Sequence, residues 1–523
     1  MTEQEYNQRV KKIRVLSETD KVALICSQHY QINQIQDRVE QLKCAHETGQ
    51  CVICKDKDKT IEEQNEVIKA LQAKLYGRSS ERKKKPKDNN DGPKKAQSTK
   101  RVRLPSEQYP NAKIKEETVS ESEPPICPDC NSNMTDSGLR ETSERLELIP
   151  MELFIVRMNR VRYHCKDCQC ALHTTKLPPR LAPSSSLNDS VLIESSIAKF
   201  YDLIPSERFA KMLSRSGVNI SDKLILSAQE KLASLYKPSY EMIKHELWSS
   251  KLTQADESPH RMLERNEGKF LWYLWCFCNQ TSVYFEIQNT RAGSVSIEFL
   301  KNSQSTILMT DAYSGYERTV KEVNIDRMNK GLPLLKSGLC NDHSRRYFYQ
   351  SQEHPLGERA LNVYGEIYEI ERKVQELIVK STPSDSQEEA LKLRQSMDPL
   401  FNKIYDIACE ILMENSTTSL IGKAANYYLN NLTGLTLFLT DIDLPISNAY
   451  AERSVRNPAV GRKTWLGTHS RVGAETHAIH FSLFESCKVN KVDPRQYYNY
   501  LAKLLNEGKE LITPYKYKTL VLN

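Results

Sequence analysis

The stretch STILMTDAYSGY, from Ser305 to Tyr316, decides the predicted fold because a short apolar run within it ends at Asp311. An apolar run of this length, bounded by polar residues, predicts a buried strand. Three strands are predicted before it, in KLTQADES, which contains Asp256, in FLWYLWCFC and in SVYFEIQN, and the segment GSVSIEFLKN predicts a helix. The chain therefore runs β-β-β-α-β, with one acidic residue in the first strand and another at the end of the fourth.

This order is the layout of a ribonuclease-H-like core, in which the first and fourth strands are neighbours. Neighbouring strands lie about 4.8 Å apart, so Asp256 and Asp311 are expected to share one face and to bridge metal ions. Two close carboxylates stay ionised together only when cations neutralise them. Mg²⁺ suits oxygen ligands, and Mn²⁺ is expected to substitute for it.

A third acidic ligand is expected downstream. The segment LPISNAYAERSVRNPAVGRKTWLG opens like a helix and contains Glu452. Two Mg²⁺ ions bound by three such acids would activate a water or a 3′-hydroxyl and stabilise the leaving oxygen of a phosphodiester. Four nearby cations are candidates for holding DNA phosphates: Arg453, Arg456, Arg462 and Lys463. A single acidic residue is usually a solvated surface group, so the hypothesis depends on the three occurring together.

Two cysteine pairs with C-x-x-C spacing predict a structural zinc site before the strands. The pairs are Cys127 with Cys130 and Cys165 with Cys168, and Cys170 is an alternative to the last of these. Each pair lets two thiolates bind one tetrahedral ion, and two pairs complete a closed four-sulfur site. The intervening LELIPMELFIVRMNRVRYH alternates as in a small β ribbon.

The N-terminal region predicts helices at near-heptad spacing, which favours a coiled coil and hence a homo-oligomer. A helix packed on its own domain is the alternative. The cluster of Cys44, His46, Cys51 and Cys54 leaves open whether a second zinc is bound. The Lys-, Arg-, Ser- and Pro-rich segment that follows is either a plain tether or a basic arm for nucleic-acid phosphates.

A helix-turn-helix-like region is predicted after the zinc module, with a helix over Ser206–Arg215, a turn at Ser216–Gly217, and Ser221 capping a second helix. DNA contact and an ordinary helix pair both remain open.

The whole chain is expected to be a multidomain α/β protein with an all-α insertion in its catalytic core. Its expected segments are an N-terminal helical or coiled-coil region (1–76), a basic linker (77–120), a zinc-binding module (121–180), a helix-turn-helix-like region (181–245), the first part of the core (246–350), a helical insertion (351–440), the second part of the core with Glu452 (441–505), and a C-terminal tail (506–523).

Bulk composition excludes other classes of protein. No apolar run approaches the roughly 20 residues that span a membrane, and the N-terminus lacks the apolar core of a signal peptide. A cytoplasmic location is therefore expected, where the 14 cysteines are metal ligands or thiols rather than disulfides. The net charge of +7 is modest.

Together these motifs resemble the transposases of the insertion-sequence-66 family, bacterial enzymes of the DDE type. The resemblance covers most of the chain and is carried by LYGRSSERKK, the two cysteine pairs, ADESPHRML, TDAYSGY and AERSVRNPAVGRKTWLGTHSRVGAE. It implies that Asp256, Asp311 and Glu452 are the metal-binding catalytic triad. It also implies a nucleoid-associated protein with double-stranded DNA, at element ends and target, as its partner.

The implied activity is binding to the terminal inverted repeats of the protein's own element, followed by Mg²⁺-dependent strand cleavage and strand transfer. Two alternatives are an inactive DNA-binding descendant and a ribonuclease-H-like nuclease specific for branched structures. The complete triad speaks against the first, and the helical insertion speaks against the second. Whether helper proteins of the same element are needed is left open.

The segment CNDHSRRYF resembles a C-W-A-H-A-R-R-K-F motif of that family. The resemblance implies that Cys340 and His343 are auxiliary residues for core structure or strand handling rather than metal ligands, and that Arg345 and Arg346 contact DNA. A plain core role for the Cys-His pair is the alternative.

The chain departs from the family pattern in two places. Asn341 stands where the family has tryptophan, and Ser447-Asn448-Ala449 stands where it has D-N-N. The first departure puts strand handling in doubt, and the second puts the tuning of the metal site in doubt.

Overall fold

The computed structural model describes residues 172–215, 217–264, 270–380 and 385–522, together with short pieces before residue 165. The predicted coiled coil, the Cys44–Cys54 cluster, the basic linker and the four zinc cysteines lie outside the described residues, apart from scattered positions. The chain divides into two compact units, Ser80–Ile155 and a larger unit that contains Val156–Asn523.

The smaller unit contains one described helix, α1 (Pro105–Gln108). The backbone N–H and the hydroxyl of Ser106 both donate to the carboxylate of Glu144, at 2.8 and 2.9 Å. These bonds fix the start of this short helix to a position far along the chain.

The larger unit begins with an antiparallel hairpin, β1 (Arg162–His164) and β2 (Leu172–Thr174). The described residues 153–161 are not in a strand. The β ribbon is therefore shorter than the alternating segment that predicted it. Three helices follow: α2 (Asp189–Phe200), α3 (Ser206–Ser214) and α4 (Asp222–Trp248).

Helix α4 begins where the sequence predicts, because the Ser221 side chain accepts a hydrogen bond from the N–H of Leu224 at 3.2 Å. Its apolar stripe continues to the buried Leu247, so the segment boundary expected at residues 245 and 246 falls inside this helix. The hydroxyl of Tyr240 donates to the carbonyl of Phe285, which ties α4 to the sheet.

Five strands form one mixed sheet. They are β3 (Leu252–Arg261), β4 (Leu271–Cys278), β5 (Val283–Gln288), β6 (Ile307–Thr310) and β7 (Lys336–Leu339), in the spatial order β5-β4-β3-β6-β7. β3, β4 and β5 pair antiparallel, whereas β6 pairs parallel with both β3 and β7. The predicted β-β-β-α-β order is confirmed, with the first and fourth of these strands adjacent.

Helices cover both faces of the sheet. Those that follow the third strand are α5 (Ser294–Lys301), α6 (Ser314–Lys330) and α7 (Asn341–Gln350). Along β6, Leu308 packs into a core with α2 and α4, while Ile307 and Met309 pack on the opposite face. This alternation follows from the two-residue period of a strand.

The opposite face is covered by the helices of the predicted insertion: α8 (Pro355–Lys380), α9 (Asp385–Gln395), α10 (Asp398–Glu414) and α11 (Leu420–Thr436), followed by a 3₁₀ turn at Leu437–Thr440. These elements form their own apolar core, which reaches the sheet through Leu252, Ile307 and Met309.

The chain ends in helices α12 (Ala449–Trp465), α13 (Arg471–Asn490), α14 (Pro494–Asn506) and α15 (Pro514–Tyr517), then a π-helical turn at Lys518–Leu522. The expected C-terminal tail is packed rather than extended, since Leu511 and Tyr517 are buried in the core shared with α4. Within the described part of the chain, no helix is both long and apolar enough to cross a membrane.

Candidate active site

Strands β3 and β6 place Asp256 and Asp311 at the same level. The parallel register pairs Gln254 with Met309, and each acidic residue lies two positions further along its strand direction. Side chains two positions apart point to the same face, so the two carboxylates face the same side. The carboxylate of Asp311 also accepts a hydrogen bond from the N–H of Tyr313 at 3.1 Å.

Glu452 reaches this site from the first turn of α12. The amide of Asn448 donates to the carbonyl of Ala255 at 2.8 Å, and its backbone N–H donates to the sulfur of Cys340 at 3.2 Å. The N–H of Cys340 donates to the carbonyl of Thr310 at 3.0 Å. The start of α12 is thereby tied to the residues that immediately precede Asp256 and Asp311.

The three acids act on each other electrostatically. Burial raises the pKa of Asp256 to about 7 from its ordinary value of 3.8, and the charges of Glu257, Asp311 and Glu452 add to this rise. Glu257 itself points into a different environment, where Arg291 lies 2.7 Å from its carboxylate and the Tyr316 hydroxyl donates to it at 2.6 Å. Asp256 and Glu257 are adjacent on β3 but therefore have different electrostatic surroundings.

The chemistry of this donor set suits magnesium, while the ligand oxygens of the three acids do not all lie within 4.8 Å of one another in the described structure. Oxygen ligands from carboxylates are those that Mg²⁺ prefers, and one or two per ion suffice because the ion retains waters. Burial, and to a smaller extent the neighbouring negative charges, oppose ionisation of Asp256, and a bound cation would relieve this penalty. Asp256, Asp311 and Glu452 are the residues that would hold such ions.

Asp256 is expected to contribute a loss of stability to the metal-free protein as the pH rises from about 4 to about 7, while the buried His260, His477 and His480, whose pKa values burial lowers, contribute in the opposite direction. The folded pKa of Asp256 lies above its ordinary value, so in this window the unfolded chain releases a proton that the folded chain retains. Thermal melts from pH 4 to pH 8, with and without Mg²⁺, measure the effect. Mg²⁺ should raise the melting temperature most at pH 8, and a stabilisation that is equal at pH 4 and pH 8 would contradict this assignment.

The C-x-x-H pair lies beside Glu452. Cys340 precedes α7 as its N-cap residue and is fully buried, and its sulfur lies 3.7 Å from Glu452 Oε1. His343 Nδ1 lies 3.5 Å from the same oxygen, and Arg346 Nη2 lies 4.0 Å from Oε2. Burial raises the pKa of the Cys340 thiol to about 12.

Asn341, the first departure from the family pattern, is fully buried. Its side-chain amide donates to the carbonyls of Leu435 and Ile446 at 2.9 and 3.2 Å. The residue therefore joins α7 to the end of the insertion and to the approach to α12, and it does not face solvent. Position 341 is therefore an internal hydrogen-bonding position in this chain.

The predicted phosphate-binding cations have different surroundings. Arg453 and Arg456 are exposed and line an open cavity of about 480 Å³ together with Lys488 of α13. Lys463 is also exposed. Arg462 is half-buried and donates to the carbonyl of Pro259, so part of its guanidinium is already used within the protein.

The Arg345 side chain is half-buried on α7, one position before the exposed Arg346. Of this pair, Arg346 has the better access to an external phosphate.

Sequence reasoning missed two residues near the acids. Tyr427 comes from α11 of the insertion, and the charges of Cys340 and Asp311 add to the effect of burial in raising its pKa. Its hydroxyl is buried and has no hydrogen-bond partner among the described residues. Gln254, two residues before Asp256, is also buried. Neither its amide nitrogen nor its amide oxygen has a hydrogen-bond partner among the described residues. No sequence pattern distinguishes Tyr427 from its neighbour Tyr428, which is an ordinary core residue. No sequence pattern marks Gln254 either.

Comparison with known proteins assigns the chain to a family. Residues 185–476 match the profile of the Transposase IS66 family, and residues 124–169 match the zinc-finger binding domain of transposase IS66. The second range contains the four cysteines of the two C-x-x-C pairs, in agreement with a structural zinc ion. The family indicates a transposase role, with DNA as the partner and a divalent metal as cofactor.

The chain is also similar to two proteins of Sinorhizobium fredii. It is 23% identical over 407 residues to the uncharacterized protein y4hP, covering 73% of this chain and 71% of that protein. It is 24% identical over 402 residues to the uncharacterized protein y4jD, covering 74% and 76%. No solved structure matches the chain with statistical significance. Since the first profile matches more than half of its length, the chain belongs to the IS66 family of transposases.

Proposed function

We propose that this protein is a DDE transposase that binds the terminal inverted repeats of its own element and catalyses Mg²⁺-dependent strand cleavage and strand transfer. The observation that carries the proposal is that Asp311 and Glu452, from two other elements, lie near enough to Asp256 for their charges to add to the rise of its pKa. Strand order and the pairing of β3 with β6 support a ribonuclease-H-like core.

Each acid has a distinct support. Asp256 lies on the central strand, Asp311 follows β6, and Glu452 is held over them by the Asn448 and Cys340 hydrogen bonds. When bound, two Mg²⁺ ions would supply Lewis-acid activation of the attacking oxygen and stabilisation of the leaving oxygen. The task of the protein is to fix the carboxylates so that little reorganisation is needed during the reaction.

The cationic residues of α7 and α12 would hold the DNA backbone. Arg456 lies one helical turn after Glu452, which puts both on the same face of α12. Arg346 lies beside the same carboxylate from the other helix. Phosphates held by these side chains would bring a scissile bond to the acids. The remaining phosphate contacts would fix the register of the DNA on the protein and would not read its sequence.

Other parts of the chain have supporting roles in this proposal. The α3–α4 pair and the basic linker would contact DNA outside the reacting strand, and the N-terminal helices would join protomers. The insertion would hold transposon ends, since it contributes Tyr427 next to Asp311.

The test is strand cleavage and joining on labelled DNA that carries candidate element ends, with wild type and Asp311→Asn compared. Products that require Mg²⁺ and disappear in the variant are the expected result. Binding without products from the wild type would favour a non-catalytic descendant. Cleavage of branched DNA irrespective of element ends would favour a structure-specific nuclease.

A further inference from the structure

A second set of ligand atoms overlaps the acidic site. Cys340 Sγ, His343 Nδ1 and a carboxylate oxygen of Glu452 all lie within 4.8 Å of one another. Glu452 Oε1 is common to both measured contacts, 3.7 Å to the sulfur and 3.5 Å to the ring nitrogen. The three atoms therefore form a small triangle with one thiol, one imidazole and one carboxylate.

Two sides of the triangle have the lengths expected in a zinc site, and the third is within 4.8 Å. Tetrahedral Zn²⁺ with ordinary bond lengths separates sulfur from oxygen by about 3.6 Å and nitrogen from oxygen by about 3.4 Å. The measured separations are 3.7 and 3.5 Å. Thiolate and imidazole are ligands that select zinc and related transition metals over magnesium. Three protein ligands leave a fourth position for water or a DNA oxygen.

Two features of the triangle favour a bound cation, although in its absence the Cys340 thiol donates to Glu452. His343 Nδ1 is buried and has no hydrogen-bond partner among the described residues, so its lone pair is free when the ring carries its proton on Nε2. The Asn448 N–H that donates to Cys340 partly offsets the burial that raises the pKa of its thiol, and a bound cation would have to supply the rest of the stabilisation of a thiolate. Cys340 and Glu452 also lie at the starts of α7 and α12, where negative charge is favoured.

One contact opposes a cation here. The guanidinium of Arg346 lies 4.0 Å from Glu452 Oε2, but its side chain is 46% exposed. An exposed arginine at that distance is free to swing into solvent, and it contacts the oxygen that is not shared with Cys340 and His343.

We propose that Cys340, His343 and Glu452 bind a zinc-class transition-metal ion, and that its binding inhibits the Mg²⁺-dependent reaction by withdrawing Glu452 from Asp256 and Asp311. The inhibitory part rests on the proposed transposase function, whereas the binding part does not. Binding converts the Cys340 thiol to a thiolate and releases its proton to solvent, with no change of oxidation state.

The binding test uses the full chain with one equivalent of zinc already bound, so that the four-cysteine site is filled. Zn²⁺ outcompetes Co²⁺ at such a site, and added Co²⁺ then reports other ligands through its visible absorption. Wild type should develop a cobalt spectrum with a thiolate charge-transfer band that Cys340→Ser lacks. His343→Asn, at a half-exposed position, should also lose affinity and provides a second variant if Cys340→Ser is unstable.

The matched control is Cys409→Ser, which removes a half-buried free thiol on α10. It should keep the full cobalt spectrum. A band that is equally strong in Cys340→Ser and His343→Asn would assign the metal to other cysteines, including Cys44, Cys51 and Cys54. That result, or no band in the wild type, would overturn the proposed site without bearing on the transposase function.

The inhibition test is zinc titration of strand cleavage at fixed Mg²⁺. Zinc should lower the activity of wild type and Cys409→Ser to the level of Glu452→Gln. Each variant is compared with its own zinc-free rate, and Cys340→Ser should lose a much smaller fraction. Equal fractional inhibition in wild type and Cys340→Ser would overturn the regulatory role.

Discussion

Asp256→Asn is expected to reduce Mg²⁺-dependent strand cleavage by roughly a thousandfold, because a lost metal-binding carboxylate removes several kcal/mol of transition-state stabilisation. Asparagine has nearly the same shape but carries no charge. Binding of DNA ends, measured separately by gel shift without Mg²⁺, should change little, since phosphate contacts come from the cations of α7 and α12.

The same variant should make the metal-free protein more stable at pH 8. It removes a carboxylate whose ionisation is opposed by burial and by Asp311 and Glu452, which is why the pKa of Asp256 is raised to about 7. As the pH rises from about 4 to 7, Asp256→Asn should therefore gain stability relative to wild type. A matched control is Asp326→Asn, which alters an ion pair with Lys330 on the surface of α6. Equal cleavage rates in Asp256→Asn and the control would remove Asp256 from the catalytic set.

Glu371→Ala is expected to destabilise the helical insertion by about 3–5 kcal/mol, because it leaves the buried charge of Arg394 without its partner. The two side chains are 7% and 1% exposed and lie 2.6 Å apart. Arg394 also donates to the carbonyls of Asp441, Ile442 and Leu444, in the segment that leads to α12. Hydrogen exchange of the insertion helices, together with thermal melts, measures this loss.

A surface ion pair on the same helix provides the control. Arg372 contacts Glu369 and Glu376 in solvent, so Arg372→Ala should change stability little. Replacing both Glu371 and Arg394 with methionine should recover only part of the loss, since neither charge then remains buried but the carbonyls of Asp441, Ile442 and Leu444 lose the Arg394 donor. If Glu371→Ala melts like Arg372→Ala, the buried pair does not hold the insertion together.

The strands were predictable because their signals are local. The apolar run before Asp311 forms β6, and the segment KLTQADES forms most of β3. The Ser221 cap was predictable for the same reason. The end of α4 was not, because its last turns are specified by packing: Tyr236 and Tyr240 donate to carbonyls of α14 and β5.

The candidate site likewise has features that the sequence predicts and features that only the tertiary structure shows. The sequence by itself determined which acids stand at strand ends and at a helix start, and that a cysteine and a histidine stand three residues apart. Only the tertiary structure decided that Asn448 and Cys340 bring Glu452 to the strands, that Tyr427 comes to Asp311 from the insertion, and that His343 shares an oxygen with Cys340. These contacts join residues about 110 to 190 positions apart, and local propensity carries no information over such separations.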